Sequence, residues 1–223
     1  VKHNSFENDL YKGFLEKWFN IKAEQLILID QYCLEIKKWS VRQNLVSRSD
    51  LDQLYEKHVF PSVIITKIIK DDPGQAIADI GSGSGFPGVI IKILLPERSV
   101  FLIDSSRKKY LFLLELCEKL NLSCKVINER VESLTRYNGI CFDLIVSRAV
   151  APLASLWNWS EKSLAPEGSL YVLKGGDIDN ELRQVEEMNL NIKIIRPDSE
   201  WRSISDTVMD KLIVRIRRKH DQR

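Results

Sequence analysis

The residues best suited to chemistry in this chain are the glycines of Ala76-Ile-Ala-Asp-Ile-Gly-Ser-Gly-Ser-Gly-Phe-Pro-Gly88. The apolar run Ala76 to Ala78 reads as a buried strand, and Val89 to Leu95 as an apolar helix. Between them Gly81, Gly83 and Gly85 let the backbone turn tightly and approach a ligand, because no Cβ intervenes. The helix that follows offers free N–H groups and a partial positive charge at its start, which suits a carboxylate or a phosphate. A dinucleotide fingerprint needs glycine at the sixth position of G-x-G-x-x-G, where this chain has Phe86. A second run, Val100-Phe-Leu-Ile-Asp104, ends in an acid about 20 residues beyond Gly81, where two acceptor oxygens suit two ribose hydroxyls. Alone, the glycines also fit an ordinary strand-to-helix turn. With Asp104 they point to an adenosine ligand.

Strands and helices must alternate after Gln75 to position these groups, which is the pattern of a parallel sheet covered on both faces. Lys125 to Asn128 reads as the third strand, and Val131 and Glu132 just beyond it fall where an adenine ring would lie. Phe142 to Ser147 reads as the fourth strand. Arg148, directly after it, sits at the chemical centre or else is an ordinary surface residue. Gly168 to Leu173 forms the fifth strand and leads into Lys174-Gly175-Gly176. A helix around Asp179 to Met188 and strands near Ile192–Ile195 and Leu212–Ile216 complete seven strands. Arg107-Lys108-Lys109 opens a helix with Leu111, Phe112, Leu114 and Cys117 expected inward; the triplet is a solvated helix start or an RNA contact. The basic tail from Arg215 to Arg223 is solvated charge or a phosphate contact. The helix from Leu153 to Ser163 is expected to pack both its tryptophans on the sheet.

Residues 1 to 73 read as helical. Phe6, Leu10, Phe14 and Trp18 share one expected face, and Leu28, Ile29, Tyr32, Ile36 and Trp39 another. Asp50 is a candidate N-cap for a third helix carrying Leu51, Leu54, Tyr55, His58 and Val59, with His58 a structural histidine. Pro61 is expected to kink or restart that helix.

The 223 residues suit one domain with an appended element, and 44% apolar content supports a full core. A net charge of +2 means that a polyanion must be met by a local basic patch. Four scattered cysteines and three histidines argue against a disulfide scaffold and against a metal site. No apolar run approaches a membrane span, and the charged N-terminus has no signal-peptide core, so the expectation is a cytoplasmic protein. With no long apolar edge or heptad run, a monomer is expected.

Asp79-Ile-Gly-Ser-Gly-Ser-Gly-Phe-Pro-Gly88, Leu102-Ile-Asp-Ser105, Arg130-Val-Glu132, Ser147-Arg-Ala149 and Leu173-Lys-Gly175 occur in this order and spacing. Together they resemble the bacterial small-subunit ribosomal RNA guanine-N7 methyltransferases, once called glucose-inhibited division protein B. The likeness extends into the N-terminal part through Trp39, Asn44-Leu45 and the helix with His58. It implies an α/β fold: a Rossmann-like class I methyltransferase sheet of seven mostly parallel strands (residues 74 to 223) under an N-terminal helical cap (residues 1 to 73). It further implies S-adenosylmethionine as cofactor, and small-subunit rRNA or the small ribosomal subunit as partner. Gly81, Gly83, Gly85, Phe86, Val131, Glu132 and Arg148 would contact the cofactor, Asp104 would take the ribose, and Arg148 and Lys174 would flank the guanine. Two positions depart from the family pattern. Pro61 stands where an aspartate is usual before Ser62, and Asp210-Lys211 stands where a basic Arg-His pair is usual.

Three other readings remain for the same residues. A methyltransferase acting on a small molecule or a protein shares the sheet, because fold does not fix substrate. A non-catalytic ribosome-binding factor would be expected to carry a damaged glycine turn, and this one is intact. A dehydrogenase is disfavoured by Phe86.

Overall fold

The helical N-terminal part comprises α1 (Asn4–Phe19), α2 (Ala23–Ser40) and α3 (Phe60–Ile69). A 3-10 turn at Arg48–Asp50 and a π-helical turn at Tyr55–Val59 lie between α2 and α3. The computed structural model describes residues 4–133, 139–148, 150–197 and 210–219, with burial assigned from Leu10 onward. The side chain of Phe6, Ala149 and the tail beyond Lys219 lie outside the described residues.

α3 is apolar on every side and is buried on nearly every side, the hallmark of a central helix. Its Ser62 and Thr66 hydroxyls return to the carbonyls of His58 (2.6 Å) and Ser62 (2.7 Å). Phe60 fixes the face of α1 by meeting Tyr11 at 6.4 Å and Phe19 edge-on at 5.5 Å. Among the described side chains of α1 the buried ones are therefore Tyr11 and Leu15, and Leu10 of the expected stripe is 56% exposed. α2 buries Ile29, Tyr32 and Ile36 as expected. Asp50 does not cap a helix: Ser47 accepts the Asp50 N–H at 3.2 Å, and the Asp50 carboxylate turns towards Lys57 and His58.

Gly13 lies mid-helix in α1 with nothing within 4 Å of a Cβ placed there. Gly13→Ala is expected to raise the melting temperature by about 2 °C, from roughly 0.5–1 kcal/mol of helix propensity. Circular dichroism melts check this, and a lowered midpoint would count against an isolated, solvent-facing Gly13.

The remaining elements are β1 (Ala76–Ile80), α4 (Gly88–Leu94), β2 (Ser99–Ile103), α5 (Arg107–Lys119) and β3 (Lys125–Ile127). They continue as β4 (Phe142–Arg148), α6 (Leu153–Ser160), β5 (Leu164–Gly175), α7 (Asp179–Glu186), β6 (Leu190–Ile195) and β7 (Lys211–Arg218). The seven strands run in the order β3-β2-β1-β4-β5-β7-β6. β7 is antiparallel to both neighbours, and the other pairings are parallel.

Alternation along each strand splits the core between the two faces. Ile77, Leu144, Val146, Tyr171 and Leu173 face α1–α5, and Ala78, Ile145, Leu170 and Val172 face α6 and α7. The N-terminal helices thus share a core with one face of the sheet. Gln25 donates to Ile93 O at 3.0 Å, and Tyr32 donates to Ser84 O at 2.8 Å. α5 is rotated from its expected face. Phe112 packs edge-on against Trp39 at 5.5 Å, which turns Leu113 and Leu116 inward and leaves Leu111 and Leu114 exposed.

Candidate active site

The chain runs from β1 outward to β2 and β3, then returns to lay β4 on the other side of β1. Ligands in open α/β sheets bind where strand order reverses, beyond the carboxyl ends of the strands. Here the glycine turn occupies that place. Gly81 and Ser82 both donate to Ile103 O, at 2.8 and 3.0 Å, which ties the turn to the end of β2. Ser82 Oγ donates to Asp79 O and accepts from Ile103 N, both at 2.8 Å. Gly81, Gly83 and Gly85 adopt φ of +69°, +57° and +101°, a region that side chains with a Cβ rarely enter.

Asp104 is fixed by this turn. Its Oδ2 accepts from Gly83 N and its Oδ1 from Ser106 N, both at 2.8 Å, and Lys109 Nζ stands 3.9 Å from Oδ2. Each oxygen keeps a further lone pair for a hydroxyl donor. The nearest atom to a Cβ built on Gly83 is Gly81 O at 3.7 Å, so the approach over Gly83 is free.

Gly85 stands behind the wall, where a Cβ would lie 2.6 Å from Val89 Cγ2 and 2.9 Å from the Tyr32 hydroxyl. Asp79 lies deeper still. Its Oδ2 accepts from Gly88 N at 2.9 Å, and its buried Oδ1 has no partner among the described residues. Burial pushes this carboxyl up to about 7, against the opposing pull of the Gly88 N–H and the Arg148 charge.

One cleft of about 1200 Å³ opens at this edge. It brings together Gly81, Gly83, Phe86, Asp104, Val131, Glu132, Arg148 and Lys174, while Gly85 is outside its lining. Phe86 is buried between Tyr32 (ring centroids 4.7 Å) and His58 (5.1 Å), with Arg148 Cζ 5.5 Å from its ring. Arg148 Nη1 donates to Lys57 O at 3.3 Å, and burial lowers the guanidinium's pKa. Lys174 Nζ donates to Ala151 O and pairs with Glu181 Oε2, both at 2.8 Å, and Glu181 also accepts the Leu153 N–H. Such an edge offers hydroxyl acceptors, an open backbone turn and two cations lining one cleft.

Over residues 25–197 the chain matches the family described as rRNA small subunit methyltransferase G, GidB. The chain belongs to this family. The ribosomal RNA small subunit methyltransferase G of Christiangramia forsetii is 41% identical over 178 residues, covering 76% of this chain and 82% of that protein. Its counterpart in Chlorobaculum tepidum is 37% identical over 165 residues, covering 74% and 75%. Among solved structures, the O-methyltransferase TomG from Streptomyces achromogenes superposes with a TM-score of 0.62 over 98% of this chain and 100% of that one. At 11% identity that likeness establishes the fold alone. The sheet is the seven-stranded, mostly parallel sheet of class I methyltransferases.

In this GidB family member the cleft also takes in residues that the sequence did not assign to it, among them Asp50, His58, Trp159 and Lys211. Trp157 packs on the sheet as expected, and Trp159, partly buried against the same core, also reaches the cleft wall. Asp50 and His58 are eight positions apart on separate turns, and only folding brings them to 3.2 Å. Pro61 stands in the first turn of α3, directly after the π-helical turn, which is the restart expected of it. Lacking an N–H, Pro61 cannot donate to Lys57 O four residues earlier, and Arg148 takes that carbonyl instead. Among the described residues no group of three or more His, Cys, Asp or Glu could hold a metal ion. No described helix is long and apolar enough to cross a membrane.

Proposed function

We propose that this GidB family member transfers a methyl group from S-adenosylmethionine to N7 of a guanine in small-subunit (16S) ribosomal RNA. One observation carries the reading: the glycine turn, with Asp104 pinned to Gly83, opens onto the same cleft as Arg148 and Lys174. An adenosine ligand fits the residues present. Asp104 has lone pairs left for ribose hydroxyls, the approach over Gly83 meets nothing closer than Gly81 O at 3.7 Å and Lys109 Nζ at 3.8 Å, and Val131 and Glu132 form the adenine end. Phe86 and Gly85 hold the turn in shape from behind. When bound, the cofactor supplies an electrophilic methyl on a sulfonium.

Guanine N7 carries an in-plane lone pair and needs no deprotonation, so the site's task is placement at near-attack distance. Arg148 and Lys174 donate to guanine O6 or to a neighbouring phosphate and leave N7 free. The reaction needs no general base, and His58 is not poised as one. Its ring is pulled down to about 4, chiefly by burial and then by the Arg148 charge. No metal is required, because the methyl donor is itself the electrophile. The cleft exceeds the roughly 300–1000 Å³ of a typical small-ligand pocket, which leaves room for a purine beside the cofactor. A stacked base cannot reach the end of β4, so the guanine is unpaired or flipped out.

Residues 1–73 act as a helical cap over a methyltransferase unit spanning 74–223. The enzyme works as a monomer in the cytoplasm, on ribosomal RNA or the small ribosomal subunit. The test is transfer of labelled methyl to unmethylated small subunits, followed by digestion to nucleosides. Label in 7-methylguanosine, falling steeply as salt rises, is expected. Label absent from RNA despite normal cofactor binding would point to a small-molecule or protein substrate.

A further inference from the structure

Arg148 carries five N–H donors, yet its described bond is a single 3.3 Å contact to Lys57 O. That carbonyl is available because Pro61 has no N–H to offer it. The next residue, His58, packs on Phe86 at 5.1 Å, and the Arg148 guanidinium lies 5.5 Å from the same ring. His58 and Arg148 thus both pack against one phenyl ring.

The imidazole's tautomer follows from its partner. His58 Nε2 stands 3.2 Å from Asp50 Oδ2. Burial works to raise the Asp50 carboxyl, but hydrogen bonds from Lys57, Ser47 and His58 overcome it and hold the group at about 2. An ionised carboxylate only accepts, so Nε2 must carry the proton and Nδ1 is a bare acceptor. Nδ1 is buried with no hydrogen-bond partner among the described residues, on a side chain only 9% exposed. A buried acceptor left unpaired is costly, and Arg148, whose charge acts on the His58 ring, has donors to spare.

We propose that in the ligand-bound enzyme His58, oriented by Asp50, is a positioning residue for Arg148, its Nδ1, unpartnered among the described residues here, accepting a guanidinium N–H. Resting on the functional reading above, this gives the cap two adjoining acceptors, Lys57 O and His58 Nδ1, on one edge of the guanidinium. The other edge is left for the base. An arginine held at both points presents its fork in one orientation, whereas a single long bond lets it swing.

Two variants separate this role from simple packing. His58→Phe keeps a ring on Phe86 and removes the acceptor. His58→Asn places an oxygen near the Nδ1 position. H58F is expected to lose about 10- to 100-fold in kcat, the worth of one hydrogen bond to a charged group. H58N should recover most of that loss, with calorimetric affinity for S-adenosylmethionine within about twofold for both variants. In the Arg148→Ala background H58F should add nothing, because coupled residues do not sum. A wild-type kcat in H58F, equal loss in H58N, or multiplying losses in the double variant would overturn the proposal.

One readout needs no turnover. The chain has three histidines, so imidazole 15N resonances of the protein bound to S-adenosylhomocysteine can be assigned. His58 Nδ1 should report a hydrogen-bonded bare nitrogen that shifts in Arg148→Ala. An unchanged signal sinks the proposal even if ribosomal subunits prove not to be the substrate, and a methylation failure in wild type alone would fall on the functional reading instead.

Discussion

Replacing Gly88 with alanine is expected to lower the melting temperature by roughly 10 °C and to abolish measurable binding of S-adenosylmethionine. A Cβ at this position would stand 2.4 Å from Leu102 Cδ2, 2.7 Å from Asp79 Oδ2 and 2.8 Å from Asp79 Cβ. All three contacts are shorter than packed atoms tolerate. Neither neighbour can move aside, since Leu102 and Asp79 are fully buried on the adjacent strands β2 and β1. The first turn of α4 must then lift off the sheet. Lifting it stretches the Gly88 N–H bond to Asp79, 2.9 Å in the native protein, and strips a buried carboxyl of its one described partner.

Overpacking of this kind costs about 1–3 kcal/mol, and an orphaned buried acceptor about as much again. At about 2–4 °C per kcal/mol for a chain of this size, the sum gives the shift stated. Cofactor binding goes with it, because the glycine turn is suspended between Asp79 and α4. Thermal melts and calorimetry on the same sample check both parts. Gly13→Ala is the control, because the same methyl enters open space there and should stabilise. A Gly88→Ala protein that melted within about 2 °C of wild type would show that α4 can slide without disturbing the turn.

The glycine turn was legible in the sequence because its constraint is local. Positive φ at three alternating positions favours glycine whatever surrounds it, and the strands beside it are short apolar runs ended by turn residues. Strand count and order of appearance followed from the same punctuation. Helix faces were harder. In α5 the sequence Leu111-Phe-Leu-Leu114 is apolar at every position, so periodicity cannot say which residues point inward. The decision falls to Phe112 meeting Trp39 from a helix more than 70 residues earlier. In α1 the choice between Leu10 and Tyr11 was likewise made by Phe60 of α3.

The part of the cleft that belongs to the cap was the least legible. Asp50 has the residue type and position of a helix cap, and Ser47 three residues before it took that role. What Asp50 does instead depends on a π-helical turn, whose extra residue per turn sets Lys57 and His58 against it. Nothing in local periodicity announces such a turn. Pro61 signalled a kink or a restart, and α3 does begin there, but its chemical consequence was not legible: a carbonyl left for an arginine 91 positions away.

Arg148→Ala is expected to lower kcat by about 10²-fold while affinity for S-adenosylmethionine changes far less, and Arg148→Lys should not restore the rate. The guanidinium lies along Phe86 and reaches Lys57 O, a planar group using two directions at once. Lysine, a point charge on a flexible stem, cannot reproduce that fork. Lys174 cannot supply that fork either: Glu181 and Ala151 O, at 2.8 Å each, hold two of its three N–H donors and leave one for the base or a phosphate. Removing Arg148 therefore leaves the base with a single donor and no fork, and the rate falls through placement rather than through binding. Single-turnover kinetics on small subunits, beside calorimetry, separates the two.

The same substitution has a second, independent signature. Arg148 opposes the upward push of burial on Asp79, so its loss moves that carboxyl further above about 7. A carboxyl raised in the folded state favours folding below its unfolded pKa, and this contribution is lost as pH rises through the folded value. In wild type that loss is spent between the ordinary carboxylate range and about 7; in Arg148→Ala it continues upward. The variant's melting temperature should consequently drop more than wild type's between about pH 6 and about pH 8. Parallel pH profiles would mean that the guanidinium does not act on Asp79. A kcat loss accompanied by diverging profiles would place Arg148 as the one side chain that couples the buried end of β1 to the mouth of the cleft.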